Sequence, residues 1–209
     1  MCSSDLASLS FAAKYTLKLS DAARELLSVE TPKALDNVES HIIGSVRQLC
    51  AAAAACAGEM GYEAQILTSG LICEARDAGS FLASIARDHA GLGKKLAFIC
   101  GGETVVHLNG NGLGGRNQEL ALSASTVLRG IDDACVFSVG SAGTDGPTDA
   151  AGGYADGGTA NRLKAAGWTA EAALEDNDAY HALEACGDLI ITGPTGTNVN
   201  DLSVALIRQ

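Results

Sequence analysis

The chain has 209 residues, a net charge of -11, a pI of about 4.6 and 47% hydrophobic residues. It is long enough for one large or two small domains, and its acidity excludes nucleic acid and anionic membranes as partners, because both need a basic face. No apolar run reaches the length of a membrane span and no basic-then-apolar leader opens the chain, so a cytoplasmic protein is expected.

The opening MCSSDL is polar and unpatterned and matches the translated end of a common sequencing adapter. Residues 1–10 are therefore expected to be non-native or unstructured. Apolar residues recur at helical spacing over 11–28, with Ser20 and Asp21 as an N-cap before AARELL, until Thr31-Pro32 breaks the pattern. Residues 38–43 predict a short strand. An alanine-rich helix is predicted over 45–60, ended by Gly61, and a strand over 62–68. Residues 74–90 predict an amphipathic helix with Ala78, Phe81, Leu82, Ile85 and Ala86 on one face. After GLGKK the pattern changes to short apolar runs between glycine loops, and a boundary is placed there, dividing 11–94 from 95–209. Strands are predicted at 96–100 and 104–109. A helix follows over 116–129, with Leu120, Ala124, Val127 and Leu128 on one side. A buried strand at 134–139, helices near 158–166 and 178–186, and strands at 189–192 and 204–208 complete the chain. Such alternation means a layered α/β fold.

The seven cysteines are odd in number, lack C-x-x-C spacing and sit mostly in apolar runs, which reads as buried reduced thiols. The histidines are scattered without zinc-binding spacing, and no Ser or Cys nucleophile motif occurs.

Three polar, glycine-rich loops each follow a predicted strand, where open α/β sheets bind ligands. They read GGETVVHLNGNGLGGRNQE, SAGTDGPTDAAGG and TGPTGTNVND. The first contains G-x-G-x-x-G through Gly110, Gly112 and Gly115, with Asp132 and Asp133 near the distance of a ribose-binding acid. Yet Arg116, Asn117, Gln118 and Glu119 fill the first helical turn, where a dinucleotide fold packs its helix on the strand. A second reading is an anion site at a helix N-terminus, where free N–H groups and the helix dipole favour a phosphate or carboxylate. Arg116 would add a bidentate fork, and Gly114 and Gly115 would clear space for the ligand. A third reading is that Arg116 pairs with a neighbouring carboxylate. In the second loop, Asp145 and Asp149 lie beside Thr144 and Thr148. They either bind Mg²⁺ or take a proton from a hydroxyl, or they serve only the turn.

In this order, GGET, GLGGRNQELAL, GTDGPTDAAGG and GPTGTNVNDL resemble the C-terminal MOFRL region of the class II glycerate 2-kinases. Upstream, ETPKALDNVESHIIGSV and LTSGLICEARDAG resemble the stretch that precedes that region. The resemblance runs from about residue 11 to the end. It implies a layered α/β/α architecture on a mixed sheet, with a MOFRL-type domain over 95–209 and a remnant of the preceding α/β domain over 11–94. It also implies phosphoryl transfer from ATP to the 2-hydroxyl of D-glycerate with Mg²⁺; whether the protein is a homo-oligomer is left open by the sequence. Arg116 would hold the glycerate carboxylate or the transferring phosphoryl group. Asp145 would contact the substrate hydroxyl or, with Asp149, the Mg²⁺. Glu103, Gly114, Gly115, Asn117, Glu119, Thr144, Thr197 and Asn198 would bind or orient the substrate.

Departures accompany the resemblance. TDGPTDAAGG is three residues shorter than the family's usual loop, which would misplace Asp145 relative to Arg116. Cys73 stands where a glycine usually precedes Glu-Ala-Arg. The family's glycine-rich nucleotide-binding loops and catalytic lysine have no counterpart, so the chain alone is expected not to phosphorylate glycerate. Two competing readings are an NAD(P)H-dependent hydroxypyruvate reductase and a non-catalytic ligand-binding or oligomerisation module.

Overall fold

The computed structural model describes residues 5–29, 32, 34–39 and 41–208. The chain divides into two bodies, Met1–Ile42 and Ile43–Gln209. In the first, α1 (Asp5–Lys14) and α2 (Asp21–Leu27) replace the single helical stretch expected over 11–28. The break falls at Thr16, whose φ of 54° lies in the left-handed region that no α-helix continues through. Ser20 caps α2 as expected, its hydroxyl accepting the Ala23 N–H at 3.2 Å. No strand forms over the described part of 38–43. Val38 and Ile42 stand exposed, and the backbone there finds no sheet partner to take its polar groups. Cys2, Thr31 and Ser40 lie outside the described residues.

The second body begins with α3 (Val46–Glu59), β1 (Glu63–Leu71), α4 (Ala75–His89) and β2 (Leu96–Gly102). Then come α5 (Arg116–Leu128), β3 (Ala134–Gly140) and β4 (Gly152–Asp156). It ends with α6 (Thr159–Ala165), α7 (Ala170–Glu175), α8 (Ala179–Cys186), β5 (Leu189–Ile190) and β6 (Asp201–Ile207). The strands form one sheet in the order β1-β2-β6-β3-β4-β5. β1 and β2 run parallel, and every other neighbouring pair is antiparallel, so the expected mixed sheet is found.

β2 reads LAFICGG, and every one of its residues is buried because helices cover both of its faces. Leu96, Phe98 and Cys100 face α4 and α5, where Leu82, Leu120, Leu128, Val136 and Ile207 build the main core. Ile99 points the other way, against Cys50 of α3 and Val204 of β6. α4 and α5 approach so closely that a Cβ at Gly79 would lie 2.1 Å from the Leu120 carbonyl oxygen. Only glycine fits there. The opposite side of α5 packs Ala121 and Leu122 against Leu163, Ala173 and Leu183 from α6, α7 and α8. Covered all round, α5 must satisfy its polar first turn from within the protein.

Several expected elements change. Residues 104–109 form no strand: the chain leaves the sheet after Gly102, and Val105 alone keeps a bridge, to Glu74. Phe81 is 59% exposed, because Ala78, Leu82 and Ala86 are the row of α4 that faces the core. The run at 189–192 shortens to β5, whereas the last strand starts earlier than 204, at Asp201. β4 and α7 have no counterpart among the predicted elements. GGYAD is too rich in glycine to signal a strand, and α7 is too short to show a helical period. Cys50 and Cys100 are buried free thiols as expected, but Cys56 and Cys73 are exposed. Among the described residues no helix is long and apolar enough to cross a membrane.

Candidate active site

The sheet delivers its polar loops to one end. Asp201, the first residue of β6, sits in register between Gly102 of β2 and Gly140 of β3. Beside it α5 begins. A cleft of about 650 Å³ opens here, lined by Glu103, Gly114, Gly115, Arg116, Glu119 and Asp145 among others. The structure thus gathers six of the residues expected at the site, with Asn117 buried directly behind them.

Asp145 is 3% exposed. Its Oδ1 accepts the Asn117 side-chain amide at 3.1 Å, and its Oδ2 accepts the Gln118 backbone N–H at 3.0 Å and the Gln118 Nε2 at 3.1 Å. The anion at the start of α5 is therefore the protein's own carboxylate, satisfying donors that a helix N-terminus leaves open. Gly115 makes this possible. A Cβ there would lie 2.3 Å from the Asp145 Cγ, so the space cleared by this glycine is filled by Asp145 rather than by a ligand. Gln118 is itself clamped by Thr148, whose hydroxyl accepts Nε2 at 2.8 Å and donates to the Asp145 carbonyl at 2.7 Å. Asn117 in turn accepts the Ser138 hydroxyl from β3. Burial pushes the Asp145 carboxyl above its ordinary range, against the lowering effect of the Gln118 and Asn117 donors, and the charge of Asp201 adds to the rise.

Arg116 pairs with a carboxylate, the third of the readings left open by the sequence. Its Nε and Nη2 donate to the two oxygens of Asp201, the second at 3.1 Å. Its Nη1 lies 3.4 Å from Glu103 Oε1. The hydrogen bond to Asp201 holds the guanidinium still more firmly protonated, despite partial burial. The Nε/Nη2 fork expected for a ligand is thus taken by Asp201, and Nη1 lies beside Glu103, which also lines the cleft.

The glycine loop is not a phosphate cradle either. Asn177 Oδ1 accepts the N–H groups of Asn109 at 2.7 Å and Gly110 at 3.0 Å. Asp176 accepts those of Asn111 through its side chain and Gly112 through its carbonyl, and Asp178 accepts that of Leu113 at 2.9 Å. These consecutive amides are spent on residues 176–178. Asn177, at a φ of 55°, also donates to the His107 carbonyl and to Glu119 Oε2 at 3.1 Å. Glu119, 2% exposed, completes the tie through Arg76 of α4, whose Nη2 lies 2.7 Å away. Glu119 therefore braces the loop that walls the cleft. At the rim, Glu74 accepts the His107 backbone N–H at 2.9 Å and pairs with its ring. Burial would raise the Glu74 carboxyl, but these His107 contacts hold it below its ordinary range.

Four expected residues stand apart. Thr144 is exposed and does not line the cleft. Asp149 accepts the Tyr180 hydroxyl at 2.8 Å. Thr197 and Asn198 are exposed on the last loop, where Thr195 and Asn200 are their hydrogen-bonding neighbours. Asp145 lines the cleft and Asp149 does not, and among the described residues no three His, Cys, Asp or Glu side chains gather to hold a metal ion. Residues to which sequence reasoning gave no role at the site are Asp201, Gln118, Arg76 and Asn177. Asp201 and Gln118 lie inside the quoted motifs, and the polar cluster EDND flanks Asn177. The pairing of these residues becomes visible only in the fold.

The profile of the MOFRL family matches residues 96–201. The chain is 53% identical over 198 residues to the D-glycerate 2-kinase of Thermotoga maritima, which covers 93% of this chain and 48% of that protein. It is 42% identical over 180 residues to the glycerate 2-kinase of Pyrococcus horikoshii, over 84% of this chain and 41% of the other. The crystal structure of glycerate kinase from Thermotoga maritima superposes with a TM-score of 0.83 at 50% identity, covering 98% of this chain and 50% of that one. The chain spans about half the length of the relatives it matches.

Proposed function

The chain belongs to the MOFRL family, and on that premise we propose that it forms the C-terminal half of a kinase that transfers a phosphoryl group from ATP to the 2-hydroxyl of D-glycerate. The observation that carries this reading is the convergence of Glu103, Arg116 and Asp145 on one cleft. Nη1 of Arg116 would hold an oxygen of the glycerate carboxylate or of the transferring phosphoryl group. Oδ1 of Asp145 accepts the Asn117 side-chain amide and would also accept the substrate hydroxyl. As that hydroxyl oxygen bonds to the γ-phosphorus and the bond to ADP breaks, its proton passes to Asp145. A carboxyl whose proton affinity is raised by burial suits that role.

Three carboxylates, Glu103, Asp145 and Asp201, surround the Arg116 guanidinium. Two anionic substrates need more positive charge than that. The remaining cations would come from the half of its relatives that this chain does not span, so the chain alone is inactive. The commitment of the amides from Asn109 to Leu113 supports a kinase over an NAD(P)H-dependent hydroxypyruvate reductase, because it leaves them none to offer a pyrophosphate. Micromolar NADH binding in a fluorescence titration would reverse that preference.

The test grafts this chain onto the missing half of the Thermotoga enzyme and follows ATP-dependent phosphorylation of D-glycerate. Arg116→Ala is expected to lower kcat/KM about tenfold to a thousandfold. An unchanged rate removes Arg116 from the site, and turnover by the ungrafted chain overturns its inactivity.

A further inference from the structure

Taking the cleft as the D-glycerate site, we propose that Asp201 is its positioning residue: it fixes the plane of the Arg116 guanidinium and leaves Nη1 as the nitrogen that meets the substrate anion. Asp201 is anchored on both sides. Its backbone is in register with Gly102 and Gly140 of the neighbouring strands, at the middle of the sheet. Its side chain is 6% exposed, and each of its oxygens accepts a different nitrogen of the same guanidinium. Two parallel bonds to a planar group remove its rotation as well as its translation.

The turn before Asp201 is built to place it. Asn200 holds a φ of 70°, which a non-glycine residue rarely adopts. The Ser141 N–H donates to the Asn200 carbonyl at 3.0 Å, and the Val199 N–H donates to Ser141 Oγ at 2.7 Å. A loop at the end of β3 thus fixes the residue from which β6 starts.

The opposite edge of Arg116 is held differently. Nη1 faces Glu103, whose side chain is 56% exposed and able to move into solvent. An anion therefore meets Arg116 end-on, at Nη1, and takes the place of Glu103. Asp201 stays bound throughout. Because the guanidinium is already ordered, the substrate does not have to immobilise it.

A double-mutant cycle in the grafted kinase tests this assignment. Asp201→Asn is expected to lower kcat/KM for D-glycerate at least tenfold when Arg116 is present. In an Arg116→Ala background the same change should cost less than threefold, since no guanidinium remains to be oriented. Equal losses in both backgrounds would mean that Asp201 serves only the strand, and would overturn the assignment. A graft that is folded but inactive with wild-type residues would sink the kinase reading and leave Asp201 to a second measurement. That measurement follows exchange of the Arg116 Nε–H with water by NMR in the 209-residue chain. Exchange at least tenfold faster in Asp201→Asn is expected, and unchanged exchange overturns the assignment.

Discussion

Asp145 and Asp188 are both buried, at 3% and 0% exposure, yet the protein holds them by opposite means. Asp188, between α8 and β5, meets a cation. Arg162 Nη2 lies 2.9 Å from its Oδ1 and 2.7 Å from its Oδ2, and the Thr159 hydroxyl donates to Oδ2 at 2.7 Å. The same arginine reaches Asp156 at 3.0 Å, so β4, α6 and the start of β5 are clasped by charge. Asp145 meets only amides, and among the described residues no cation lies within ion-pair distance of it. It lines the cleft, and Asp188 does not. A buried carboxylate neutralised by arginine has little left to offer a substrate. One held by dipoles keeps a spare lone pair and a raised proton affinity, which are the properties that proton transfer requires.

The largest expected effect falls on the clasp. Asp188→Ala leaves Arg162 with Asp156 as its one carboxylate and takes from the Thr159 hydroxyl its 2.7 Å acceptor. Removing one partner of a buried pair costs about 3 kcal/mol, to be read from urea denaturation of the chain. A loss well below 1 kcal/mol would show that Asp188 is not the fixture its bonds imply.

Gly115→Ala probes the other region. Gly115 has a φ of -143°, which any residue adopts, so the effect is purely steric. Its new Cβ would meet a carboxylate locked in place by Asn117 and Gln118, at a cost of about 1–3 kcal/mol in stability. The displaced Asp145 should also shift the Gln118 amide resonance. Gly158→Ala supplies the counterpart in the clasp. There the Cβ would meet Arg162 Nη1 at 2.8 Å, the end of a long and partly exposed side chain that can give way. A smaller loss is expected. If both alanines cost the same, the amide cage around Asp145 is no stiffer than the clasp.

These two regions were unequally legible in the sequence. Alanine-rich periodicity gave α3, an unbroken apolar run gave β2, glycine loops after strands gave Arg116 and Asp145, and the family resemblance added Glu103. TVVHLN at 104–109 has the composition of a strand, but Glu74 and Asn177 take the amides at His107, Asn109 and Gly110 that a ladder would use. That competition comes from residues far along the chain and leaves no local pattern. Asp201 was missed for the same reason. It lies 85 residues from Arg116, and nothing in its own neighbourhood shows that the last strand begins beside α5. The start of that helix was read as a site for a ligand anion, but the anion there is the chain's own Asp145, visible only once the second loop is folded over Gly115.

The smallest effect separates the two regions most directly, because it has opposite signs in them. Burial raises the Asp145 carboxyl from 3.8. Its contribution to stability is therefore fully present below 3.8 and is lost as pH rises through its folded value. Asp156, in the clasp, is lowered from 3.8: burial opposes ionisation there, but the Gly158 N–H and Arg162 outweigh it. Its contribution is present above 3.8 and is lost as pH falls through its folded value. Carbon-13 titration of the side-chain carboxyls in the folded chain should place Asp145 above 3.8 and Asp156 below it. Asp156→Asn should flatten the fall in stability on acidification, and Asp145→Asn should flatten the decline on the alkaline side of 3.8. An Asp145 that titrates below 3.8 would mean that its amide donors outweigh burial. It would then be held as firmly ionised as the clasp aspartate, with no raised proton affinity to give a substrate hydroxyl.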